Sequence, residues 1–286
     1  MHEQSTLERE LAGLDALEQD AIPTRNPLQS PWSATWPKLT AAALGLMVWQ
    51  LVVWSHWKPE YILPGPDKVF PELKDMAQDG TLWKVVGTTM RRAAIGFGIA
   101  LVIGTIVGSV VGSVRVLRVA VGGFITGIQN MPSIAWFPLA IVLFKISEGA
   151  ITFVVVIGAA PSIANGVISG MDTIPPILRR VGRMLGARGI DAYRFVSLPA
   201  ALPAFVGGIK QGWAFAWRSL LAGEIIVIIA NQPSIGQSLT QSRELSDYPR
   251  MMALMVVILV LGILVDSVVF GTAERRIRRR WGLVES

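Results

Sequence analysis

Few polar residues in this chain stand where they could do chemistry. Arg218 and Glu224 lie inside one long apolar stretch, Asp266 lies in another, and Gln129, Asn130 and Ser133 sit beside two prolines in a third. Charges in apolar surroundings are expensive and are kept to attract an ion, line a watery path or pair with one another. Arg218 and Glu224 are six residues apart, about 9 Å along a helix and poorly aligned, so a mutual salt bridge is not expected. Two roles for Arg218 therefore stand side by side: attraction of an anionic substrate, or a structural ion pair with Asp266 or with Glu224 of a second protomer. An acid facing the path would repel an anion, so Glu224 and Asp266 read mainly as structural, and Lys210 as a cation snorkelling to an interface. Pro132 and Pro138 each remove a helical hydrogen bond, and the freed carbonyls must meet protein or a water-filled path, unless neighbours satisfy a simple kink. Gln129, Asn130, Ser133, Arg218 and Glu224 are accordingly the candidate translocation-path residues.

Composition says what surrounds them. Of 286 residues, 52% are hydrophobic and only 16% charged, with a mean hydropathy of +0.50. So many apolar and so few charged residues cannot clothe a water-facing surface, and the excess must face lipid. The sequence has no cysteine, and His2 and His56 are its only histidines. Thiolate metal sites, HExxH zinc sites and a Ser-His-Asp triad are excluded, and no paired carboxylates stand at catalytic spacing, so an enzyme is not expected. The net charge of +6 collects beside apolar runs, where the cytoplasmic positive bias puts it, which argues for a lipid bilayer and no nucleic acid as partner.

The elements follow from where charges are missing. Segments 39–57, 93–114, 119–144 and 149–171 carry no Asp, Glu, Lys or Arg; 205–230 and 251–273 carry few. Each approaches or exceeds the ~20 residues that cross a hydrocarbon core. The expectation is an all-α integral membrane protein with six transmembrane helices. Its parts are a cytoplasmic N-terminal tail 1–38, a transmembrane domain 39–273 with a cytoplasmic loop 172–203, and a basic cytoplasmic tail 274–286. Leu7, Leu11, Leu14 and Leu17 at helical spacing allow a short amphipathic helix in the first tail, with a loose solvated tail as the alternative. Fifteen Lys and Arg fall on the side of the termini and nine on the other, which places both termini in the cytoplasm of a multi-pass plasma (inner) membrane protein. Gly96, Ala100, Gly104, Gly108 and Gly112, each four apart, form one small-residue ridge and predict a tight helix seam.

The loop 172–203 is the second place with a readable purpose. Pro175-Pro176 opens a helix in which Ile177, Val181, Met184 and Leu185 share a face, Gly186 supplies the turn, and a second short helix runs to Pro199. An amphipathic hairpin between two spans is the shape a membrane subunit needs to engage a soluble motor. The segment resembles the EAA loop of bacterial ABC-importer permeases, in which Glu-Ala-Ala, three residues and Gly precede a Leu-Pro. Here Leu185-Gly186-Ala187 and Leu198-Pro199 occupy matching positions, while Arg180-Val181-Gly182 replaces Glu-Ala-Ala and removes the acidic anchor.

The likeness covers roughly residues 62–275, including Leu63-Pro64, the segment 132–138 and Ala222-Gly223-Glu224, and is nearest to the nitrate, sulfonate and taurine branch, above all to aliphatic sulfonate permeases. It implies a type I ABC importer permease fold and a homodimer. It also implies two cytoplasmic ATPase subunits that bind ATP and Mg, an extracytoplasmic substrate-binding protein, and a small anion as cargo. The ATPase-coupling residues it implies are Arg180, Val181, Gly182, Arg183, Leu185, Gly186, Ala187, Leu198 and Pro199. No Gly-x-x-x-x-Gly-Lys-Ser/Thr loop occurs, so no cofactor is expected in this chain and ATP hydrolysis belongs to a partner. The competing reading, a secondary transporter driven by an ion gradient, calls for matched broken helices in two halves, and only the third span is clearly interrupted.

Overall fold

The structure, a computed structural model, describes residues 31–273 and Arg276, so both charged tails, with the Leu7 to Leu17 pattern, lie largely outside it. The described residues are helical throughout, without a strand. The chain divides into two units at Glu60 and Tyr61. The first contains α1 (Pro31–Trp54), which starts earlier than the expected boundary and takes Pro37 into its body; its apolar part, Leu39–Trp54, is shorter than a usual span.

The second unit opens with α2 (Pro66–Gln78), an amphipathic helix that buries Val69 and Met76. Gly80 turns the chain at φ +79°, a conformation open to glycine, and α3 (Thr81–Ser113) follows. The Asp79 carboxylate accepts the Thr81 N–H at 2.8 Å, and this hydrogen bond holds its pKa below the ordinary value. Partial burial, with Asp247 adding repulsion, pushes the Glu72 carboxyl of α2 upward. Next come α4 (Arg115–Asn130), a 3₁₀ turn at Ser133–Trp136 and α5 (Phe137–Phe144). After these the chain forms α6 (Glu148–Asp172), α7 (Pro176–Met184) and the single turn α8 (Ile190–Ala192). A π-helical turn, Tyr193–Ser197, leads into α9 (Leu198–Ile226), followed by α10 (Ile235–Glu244) and α11 (Tyr248–Val265) with a π-helical extension to Phe270.

All six expected segments fall on helices, with two differences. The second begins at Thr81, so its helix of 33 residues, about 50 Å long, outruns the hydrocarbon core. The third is not one crossing rod: the halves Arg115–Asn130 and Ser133–Phe144 meet at 99°, because Pro132 ends one helix and Pro138 can only sit at the start of the next. Thr81–Ser113, Glu148–Asp172 and Tyr248–Ala273 are long and apolar enough to cross a membrane on their own; α9 has the length and carries Lys210, Arg218 and Glu224.

The core is built around α6, which is covered on two sides. On one side the expected ridge of α3 is buried along its length, and a Cβ on Gly104 or Gly108 would stand 2.6 and 2.7 Å from the carbonyl oxygens of Ala160 and Ala164. Contacts advance together along both helices, from Gly96 on Val155 to Gly112 on Met171, so α3 and α6 run parallel and the bent third span returns the chain between them. On the other side α9 runs antiparallel, with Gly158 on Ser219, Gly166 on Gly208 and Gly170 on Ala201. A Cβ on Gly166 would lie 2.5 Å from the Cα of Gly208, so the two backbones touch. Trp213 of α9 fills the wider end of the seam, edge-on to Phe97 at 5.3 Å and 6.1 Å from Phe270.

Candidate functional site: a buried charge cluster and a loop knob

Both packing ridges end in a charge. Arg92 lies four residues before Gly96, in register with the α3 ridge, and Glu224 continues Gly208, Gly212, Ala216 and Leu220 on α9. At the same end of the bundle α6 begins with Glu148, and the three charges meet there. Arg92, 5% exposed, donates from Nε to both oxygens of Glu148 at 3.0 and 3.1 Å and from Nη2 to Oε1 at 2.8 Å, while Nη1 donates to Glu224 at 3.0 Å. Glu224 is 0% exposed and fully engaged: it accepts from Thr89 Oγ1 at 2.9 and 3.0 Å and from the Gly236 N–H at 3.1 Å. Thr89 in turn accepts the Ile235 N–H at 3.0 Å. Gly236 is required here, because a Cβ would fall 2.5 Å from that of Glu224. The cluster ties α3, α6, α9 and the start of α10 together. Above it Gln232 accepts from Arg91 at 3.1 Å and from Arg92 at 3.5 Å.

Glu224, expected mainly as structural and also counted among the path residues, is buried within the described structure. Its partner is Arg92 of its own chain, and Arg218 is not involved. Lys210, expected to snorkel, instead meets Asp266 at 3.3 Å. Arg218 is exposed on α9, with its guanidinium 5.9 Å from the Phe215 ring centre and no carboxylate partner among the described residues. Gly207, Gln211 and Arg218 share the exposed face, opposite the glycine ridge. At the break in the third span Gln129 accepts from Asn165 of α6, Asn130 is exposed and Ser133 is half-buried, its Cβ near Gly158.

At the other end of α6 the chain passes through Pro175 into α7. Gly186 at φ +86° closes that helix, with the Ala187 N–H donating to Gly182 O at 2.9 Å and Gly186 N–H to Arg183 O at 3.1 Å. Gly182 is buried against Val196, where a Cβ would meet Cγ2 at 2.7 Å, so α7 folds onto the π-helical turn. Ile177, Val181, Met184 and Leu185 face outward, Met184 at 87% and Leu185 at 82% exposure. Arg180 and Arg183 are exposed beside them, Leu198 is exposed, and Ala187 and Pro199 are half-buried. The knob is apolar with a basic rim.

A bundle of apolar helices with a bent span and an exposed apolar loop knob is the architecture of a membrane-embedded protein. The chain belongs to the family described as binding-protein-dependent transport system inner membrane component, whose profile matches residues 100–279. It is 32% identical over 234 residues to the aliphatic sulfonates transport permease protein SsuC of Escherichia coli K12, covering 82% of this chain and 87% of that one. It is 25% identical over 189 residues to the taurine transport system permease protein TauC of the same organism, covering 64% and 69%. The bicarbonate transport system permease protein CmpB of Synechococcus elongatus is 28% identical over 200 residues, 65% and 70% of the two chains. Among solved structures the MetNI methionine ABC transporter shares the fold, with a TM-score of 0.58 at 23% identity over 70% of this chain and 95% of that one. The protein is thus an ABC importer permease subunit with the type I importer fold.

Proposed function

We propose that the chain forms a homodimer that passes a small anion, an aliphatic sulfonate, taurine or nitrate, across the bacterial inner membrane. Two cytoplasmic ATPase subunits with bound ATP and Mg drive it, and an extracytoplasmic substrate-binding protein loads it. The observation that carries the anion is the isolation of Arg218. Insertion of an arginine into a span costs about 2.5 to 3.5 kcal/mol, and the two acids once weighed as its partners are engaged by Arg92 and Lys210. A positive group on an exposed helix face with Gln211 suits attraction of a desolvated anion. Sulfonate and taurine permeases among the relatives support that chemistry.

Reconstitution with the ATPase and binding protein tests the reading. ATP hydrolysis should rise on adding a sulfonate, and Arg218→Gln should cut uptake at least tenfold at subsaturating substrate while leaving assembly and basal hydrolysis intact. Unchanged uptake in Arg218→Gln removes the anion role. The proposed orientation has both termini and Gly186 in the cytoplasm. A single cysteine at 186 in this cysteine-free chain should resist membrane-impermeant thiol reagents in intact cells and react in inverted vesicles.

A further inference from the structure

Between the knob and the bundle lies a cleft of about 810 Å³ that shares only Gly182 and Arg183 with the coupling residues. One wall is the end of α3 and the start of α4, with Ser113, Arg115 and Arg118; the other is the loop, with Gly182, Arg183 and Ser197. Arg115, Arg118 and Arg183 are among the lining residues, and no acid is among the described residues of the lining. Asp172, just outside the lining, pairs with Arg118, which also donates to the Gly112 carbonyl, and the buried Arg118 Nε has no partner among the described residues. The first turn of α4 adds its own positive end, for it has no side-chain cap and no acid in that turn.

We propose that this cleft binds a phosphate-bearing anion that fastens the loop to the spans. Arginines on both walls favour a multidentate oxyanion, since each oxygen can take a charge-assisted hydrogen bond from a different side. The volume exceeds that of phosphate alone and has room for an attached glycerol. The source is either free phosphate or the headgroup of an anionic phospholipid, the chemistry being the same. Occupancy crosslinks Arg115 of α4 with Arg183 of α7 through one anion, and so stiffens the segment on which the knob rides.

The test uses the full permease chain without ATPase, in nanodiscs of zwitterionic phosphatidylcholine. Inorganic phosphate is titrated against chloride at constant ionic strength while Tm is followed. A saturable rise of about 2 to 4 °C identifies free phosphate as ligand. The same rise without phosphate, on adding phosphatidylglycerol to the nanodisc, identifies the headgroup. Either rise should vanish in Arg115→Gln/Arg183→Gln, persist largely in Arg115→Lys/Arg183→Lys, and vanish in Ser113→Phe, which blocks the cleft and keeps its charge. No rise with either probe, or an equal rise in the glutamine and phenylalanine variants, overturns the proposal. The readout is binding to the permease alone, so it is independent of the cargo and of the role of Arg218.

Discussion

Arg92→Ala should be the most damaging single change in the bundle, lowering stability by about 3 to 5 kcal/mol and abolishing transport. The substitution leaves Glu224 buried without its cation and takes three hydrogen bonds from Glu148. At about 2 to 4 °C per kcal/mol for a chain of this size, Tm should fall by at least 6 °C, with much of the protein lost from the membrane fraction. Arg92→Lys should rescue little, because one ammonium cannot reach two carboxylates with the geometry of a planar fork. The double variant Arg92→Met/Glu224→Met should recover part of the loss, since it removes the buried charge along with its partner. Thermal melts of all three in detergent check this ranking, and a melt of Arg92→Ala within 2 °C of the parent contradicts it.

The second large effect lies at the knob. Leu185→Asp should abolish substrate-stimulated ATP hydrolysis and uptake while leaving Tm of the permease within about 1 °C, because the side chain is already in solvent and loses no internal contact. The change puts a charge on the apolar surface proposed to dock the ATPase, and a buried unpaired charge opposes association strongly. Gly186→Trp should have the same functional effect with a small stability loss, about 1 to 2 kcal/mol, since its φ of +86° suits glycine while the space around its missing Cβ is open. Co-purification with the ATPase on a tagged permease is the direct measurement. Wild-type stoichiometry and coupled activity in both variants would remove this docking surface.

Much of this was legible in the sequence, for a definite reason. Spans, seam and loop announce themselves through periodicity: the α3 ridge repeats every four residues, and the α7 turn needs a glycine whose φ is positive. The buried charge cluster was not found, although its signal is present. Arg91 and Arg92 at the head of an apolar run look like any interfacial anchor, and only the register shows that Arg92 shares a face with Gly96 while Arg91 does not. Glu224 likewise looked isolated, because its nearest cation in sequence is Arg218 and its true partner is 132 residues away. Long-range pairing leaves no local trace. The second ridge, Gly208, Gly212 and Ala216, was hidden for a different reason: Lys210, Gln211, Trp213 and Phe215 interleave it and mask the small residues from a composition scan.

The two glycine contacts of α6 have a mechanical meaning. Where backbones touch there are no side chains to change rotamer, so α3, α6 and α9 cannot slide past one another by small adjustments and must travel as one strut. The strut is 25 residues long in α6, about 37 Å, and its two ends carry different attachments. Glu148 clamps the arginine cluster at one, and Asp172 leads through Pro175 to the knob at the other. A displacement that reaches Asp172 is therefore carried to Glu148 as a tilt of the packed helices, and the break at Pro175 and the loop beyond it set how much of a push at Met184 gets that far.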